Sequence, residues 1–189
     1  PEPMEGPTFE ETIFTTPSRL PADTQAEVRR RTEAAVAALG LAEGPIHAEL
    51  RLTPDEGPVP LEVAPRSIGG LCGRVLRFGT GLSLEGLILR HALGRVPDPP
   101  AREAAPVGVM MLPVPEAGVF ARMEGLDEAR ALHGVDEISV TIAPGTPVRP
   151  LPEGDRYLGF IFAHGDDPAR VTATLQAAAH TLRPVIEPE

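Results

Sequence analysis

The chain has 189 residues, 42% of them hydrophobic, enough for one ordinary domain or two small ones. A formal net charge of −10 argues against generic nucleic-acid binding, and no run of about eighteen apolar residues offers a membrane span. All 17 basic residues are arginine, which excludes lysine Schiff-base chemistry and a P-loop lysine within the chain. The single cysteine, Cys72, allows no internal disulfide and fits a reducing, cytoplasmic compartment.

Residues 1–7 read as a connection without signal-peptide character. Thr8 to Thr16 is β-prone and ends at Pro17. A helix is predicted from Asp23 to Leu39, with Val28, Thr32, Ala35, Val36 and Leu39 at helical spacing and Gly40 as its cap. Pro45 to Leu52 alternates, placing Ile46, Ala48, Leu50 and Leu52 toward the core and His47, Glu49 and Arg51 away from it. After the turn Pro54–Gly57, Val59, Leu61 and Val63 share one side of a second strand, and Glu62, Ala64 and Arg66 the other. Ser67 to Gly81 is glycine-rich and irregular; Ser83 is the expected N-cap of a helix from Leu84 to Leu93.

Four prolines mark residues 97–106 as a linker between a first unit, 1–96, and a second, 107–189. In the second unit, strands are predicted over 107–112, 119–123, 135–142 and, centrally, 156–163. Helices are expected over 126–132 and over 167–182, the latter with Val171, Leu175, Ala178, Ala179 and Leu182 inward and Pro184 as its stop. Strands alternating with single helices indicate an α+β class.

The chemistry concentrates on the first hairpin. A four-residue turn sets Thr53 opposite Pro58, hence Glu49 opposite Glu62 and His47 opposite Ala64. Opposed side chains have Cβ atoms roughly 4.5–5.5 Å apart, where like charges destabilise, and a bridging divalent cation reverses that sign. Arg66 follows on the same face, ahead of the flexible Gly69-Gly70 backbone. Carboxylates, a guanidinium and exposed backbone are the parts that a polyphosphate or acyl-phosphate needs. Between Arg66 and Arg102, six arginines against two acids make the window +4, with Arg66, Arg74 and Arg77 the best anion contacts. Cys72 reads as a small buried filler, and His91, His133, His164 and His180 lack metal-ligand spacing.

The runs Gly44-Pro45-Ile46-His47-Ala48-Glu49-Leu50-Arg51, Leu61-Glu62-Val63-Ala64-Pro65-Arg66 and Ile68-Gly69-Gly70 resemble the C-terminal lobe of ATP-grasp enzymes. The resemblance is nearest to the carboxylate–amine ligase branch with L-amino-acid ligases, and more distant to biotin carboxylase and carbamoyl-phosphate synthase. It implies an antiparallel sheet with helices, followed by the small α+β domain appended in that branch. It further implies ATP and Mg²⁺ (or Mn²⁺) as cofactors, Glu49 and Glu62 as metal ligands, and Arg66 as the catalytic phosphate contact. Gly69, Gly70, Arg74 and Arg77 would line the phosphate and substrate side. Many members carry a metal-binding Asn where this chain has Ala64.

The activity so implied is activation of a small-molecule carboxylate as an acyl-phosphate and its transfer to an amine. The family's N-terminal domain and lysine-bearing lid would precede Pro1, and no lysine here replaces them. They are therefore expected as a missing portion, in cis or in trans, and apolar surface at their docking site makes a homo-oligomer plausible. A second reading, resting on Ala64 and the absent lid, is a non-catalytic binding or assembly module. It would keep the half-fold without nucleotide turnover.

Overall fold

The computed structural model describes residues 11–95 and 100–188. In chain order the elements are β1 (Ile13–Thr16), α1 (Ala22–Ala38), β2 (His47–Thr53), β3 (Gly57–Ala64), a 3₁₀ turn (Cys72–Val75), β4 (Arg77–Phe78), β5 (Leu82–Ser83) and α2 (Leu84–Ala92). There follow β6 (Val107–Leu112), β7 (Gly118–Glu124), α3 (Leu126–Arg130), β8 (Val135–Val140), β9 (Thr146–Val148), β10 (Gly159–His164), α4 (Pro168–Thr181) and β11 (Arg183–Glu187). The class is α+β, and every strand pair is antiparallel. The elements fall into two units, residues 18–103 and residues 11–17 with 104–188.

The unit containing 104–188 is built on a four-stranded sheet in the order β1-β6-β10-β8. The first five residues of β10, Gly159 to Ala163, are apolar or glycine and buried, as a strand flanked by two neighbours and covered by a helix requires. Asp167 starts α4 by accepting a hydrogen bond from the Arg170 backbone N–H at 2.8 Å. Val171, Leu175 and Ala178, spaced at three and four residues, are fully buried in one core with Ile161, Phe120 and Leu158. Gly125, at φ +79°, precedes α3; a Cβ there would lie 2.2 Å from the Thr181 carbonyl oxygen, so only glycine fits.

Two expectations change here, and β11 adds a strand to them. The N-terminal strand pairs with β6, Ile13 opposite Met110 and Thr16 opposite Val107, so it belongs with the second unit instead of the first. Pairing far along the chain satisfies its backbone in a way that its local pattern does not reveal. In the expected linker, residues 97–99 lie outside the described residues, while 100–103 are held by β4: Glu103 N–H donates to Arg77 O, Gly79 N–H to Ala101 O, and Phe78 bridges Arg102. Pro184 stops α4 but does not end the structure. It enters β11, an edge strand in the order β11-β7-β9, where a missing N–H is tolerated. The three-residue strand β9 was also not anticipated.

In the 18–103 unit, α1 packs on β3, and β2 and β3 form a two-stranded hairpin. Ser83 caps α2 as expected, accepting from Gly86 N–H at 3.1 Å. Burial is lighter than the alternating pattern suggested. No residue of α1 is fully buried, and Leu39, Ile46, Leu52 and Leu61 are exposed.

The two units predict different sensitivity to truncation. Leu175→Ala should cost about 2–5 kcal/mol in urea unfolding, because it opens a closed core. Leu39→Ala should stay within about 0.5 kcal/mol. Equal effects would contradict this division.

Candidate functional site

The hairpin turn is one residue tighter than expected: Thr53 pairs with Gly57, not Pro58. Thr53 Oγ1 accepts from Glu56 N–H and donates to Gly57 O, both at 3.2 Å, and Gly57 takes the left-handed conformation that closes the loop. Arg31 reaches from α1 to donate to Glu56 O at 3.0 Å. Its Nε donates to Glu27 at 2.8 Å, and Arg30 binds the same carboxylate. Those two guanidinium groups, Arg30 first, hold the Glu27 carboxyl down to about 2.

A β-bulge then restores the register. Leu50 pairs with Pro60 and Glu49 with Glu62, leaving Leu61 as the extra residue, turned outward at 62% exposure. Past it, Glu49 faces Glu62 and His47 faces Ala64. The two glutamates therefore lie on one face, with side chains 36% and 46% exposed. Neither is locked in a buried ion pair.

Among the described residues, each has one donor beside it. Arg66 Nη2 approaches Glu62 Oε1 at 3.2 Å, and its Nη1 donates to Ser67 O at 3.1 Å. A Cβ on Gly69 would stand 3.9 Å from that Nη1, so the guanidinium lies over the glycine loop, and Gly70 adopts φ +60° within it. The structure thus brings Glu49, Glu62, Arg66 and Gly69 together. Arg77 turns its Nη1 onto the carbonyls of Arg74 and Leu76, 2.8 Å each, so that nitrogen is committed to the backbone. Cys72 is buried, and desolvation pushes its thiol up, as a filler and not a nucleophile.

His47 received no part in the site from the sequence. Its ring is 16% exposed, and Nε2 lies 2.9 Å from Glu49 Oε1. The alternation that placed His47 and Glu49 on one face was the available signal.

The donor set suits a hard cation: carboxylate oxygens, solvent access and no sulfur. Among the described residues no group of three or more His, Cys, Asp or Glu side chains is arranged to hold a metal. Two carboxylates with water and ligand oxygens match the partial protein shell that Mg²⁺ usually takes. Among the described residues, no helix is long and apolar enough to cross a membrane.

Comparison with known proteins gives a consistent picture. Residues 1–75 match the ATP-grasp domain, and residues 110–187 match the L-amino acid ligase C-terminal domain 2. The L-amino acid ligase structure from Bacillus licheniformis superposes with a TM-score of 0.82 at 27% identity, over 97% of this chain and 46% of that one. Carnosine synthase 1 of Gallus gallus is 39% identical over 132 residues, 66% of this chain and 14% of that protein. The N5-carboxyaminoimidazole ribonucleotide synthetase structure from Thermotoga maritima shares the fold, with a TM-score of 0.71 at 21% identity over 93% of this chain and 46% of that one. The chain spans less than half the length of each of these three proteins.

Two measurements check the geometry. Glu49→Gln and Glu62→Gln should each shift unfolding free energy by no more than about 0.5 kcal/mol, because relieved repulsion and lost exposed contacts are of similar size. A loss several times larger would reveal a structural pair. Cys72 should react with a thiol reagent at pH 8 far more slowly in the native chain than in the unfolded one, and equal rates would contradict its burial.

Proposed function

Because the chain belongs to the ATP-grasp ligases, we propose that the face carrying Glu49, Glu62 and Arg66 is the cation and phosphate side of its nucleotide site. One observation carries the proposal: Glu49 opposes Glu62 across the hairpin, with Arg66 held 3.2 Å from Glu62. In this reading Glu49 and Glu62 hold Mg²⁺ or Mn²⁺, which would screen the polyphosphate charge of ATP. Gly69 and Gly70 let the loop backbone approach the phosphates, and Arg74 and Arg77 add positive charge nearby.

The reaction of the complete enzyme is the ATP-dependent joining of a small-molecule carboxylate to an amine. A carboxylate oxygen attacks the γ-phosphorus of ATP, ADP leaves, and the amine then displaces phosphate from the acyl carbon. Arg66 stabilises the charge that develops on the transferred phosphoryl group. A cytoplasmic setting, where ATP is plentiful, is part of this reading.

Large apolar side chains left open in the 18–103 unit support a covering partner: Leu39, Leu61, Leu89 and Leu93 are 60–65% exposed. The remainder of the ATP-grasp fold, in cis or in trans, is the occupant we propose. Dimerisation of the chain in gel filtration would point to a second copy instead.

Two activity tests follow. A polypeptide of these 189 residues should show only trace ATPase or ligase turnover, rising when the remaining ATP-grasp segment is supplied as a fusion or a second chain. Ordinary turnover by the 189 residues alone would overturn that reading. In the complete enzyme, Arg66→Ala should slow turnover by about 10²-fold or more, the scale for one lost electrostatic stabiliser. Arg66→Lys should recover only part, because the planar fork is gone. Unfolding with unchanged specific activity would make Arg66 a structural residue.

A further inference from the structure

We infer that His47 is a positioning residue: its imidazole holds Glu49 in the orientation that a cation between Glu49 and Glu62 requires. The inference rests on the cation reading above and adds a residue to it. His47 Nε2 lies 2.9 Å from Glu49 Oε1, a full hydrogen bond. An ionised carboxylate only accepts, so Nε2 carries the proton and donates it. Among the described residues, this is the one hydrogen bond to the Glu49 side chain, and Oε2 is left for another partner.

The ring is placed to do this by its strand and its neighbour. His47 is two residues before Glu49 on β2, so both side chains leave the same face of the strand. Its cross-strand neighbour is Ala64, whose methyl group leaves room for the ring and offers no polar group to compete for it. At 16% exposure the imidazole is far more enclosed than the carboxylate that it holds, so it serves as the fixed member of the pair. Glu62 has an analogous neighbour in Arg66, on a half-exposed side chain. An exposed glutamate loses side-chain entropy when it ligates a cation; a donor already holding one oxygen reduces that loss. The chain thereby gives each carboxylate a donor from its own side of the hairpin, His47 on β2 and Arg66 just after β3.

The test is Mn²⁺ binding to the 189-residue chain, followed by paramagnetic broadening of the Glu62 and Leu50 amide resonances, with amide dispersion confirming that every variant is folded. His47→Leu keeps bulk and removes the donor; it should weaken Mn²⁺ binding by about tenfold, the lower end for loss of a ligand's hydrogen-bond partner. His47→Gln places an N–H at similar reach and should recover most of the affinity. Glu49→Gln and Glu62→Gln should abolish the broadening. If His47→Leu binds Mn²⁺ as the unaltered chain does, or if His47→Gln is as weak as His47→Leu, the positioning role is wrong while the cation site stands. If the two glutamate variants still bind Mn²⁺ normally, the cation site itself is wrong, and the role of His47 falls with it.

Discussion

Two carboxylates on neighbouring strands, set against each other by the hairpin register, are the constraint on which the candidate site depends. Opposed like charges cost stability, modestly so here because water reaches both side chains. Arg66 and His47, one beside each carboxylate, offset part of that cost. A two-stranded hairpin is marginal by itself. This one is backed by α1, which packs on β3 and reaches the turn through Arg31. The negative face thus depends on a helix and a turn that carry none of the chemistry.

The hairpin also shows how much of the site was legible in the sequence. Alternation and a turn signal were enough to oppose Glu49 to Glu62, although the turn is tighter than a four-residue loop. The bulge at Leu61 cancels the difference. A four-residue turn and a shorter turn followed by a bulge give the same register beyond it, so the pattern could not tell them apart. Side-chain contacts were less legible. Face-sharing placed His47 beside Glu49, but it is the fold that brings its ring nitrogen to the carboxylate and turns Arg77 back onto neighbouring backbone carbonyls.

The rest of the fold was legible in proportion to local pattern strength. β10 and α4 carry unbroken apolar runs or faces, and both lie within two or three residues of where the sequence put them. β1, β9, β11 and the stretch after Pro100 were misplaced or missed because distant partners define them: β6 for β1, β7 for β9 and β11, and β4 for residues 100–103. Proline was misleading for the same reason. It marks where a helix stops, whereas a neighbouring strand decides whether the chain after it is ordered.

The central claim is that Glu49 and Glu62 share one cation, and it is tested most directly at the carboxyl carbons themselves. With the side-chain carboxyl carbons of glutamate labelled with ¹³C, Mn²⁺ should broaden the Glu49 and Glu62 resonances together, at the same metal concentration and before any other glutamate in the chain. Broadening of only one of them, or of both no earlier than exposed glutamates such as Glu43 and Glu128, would contradict it.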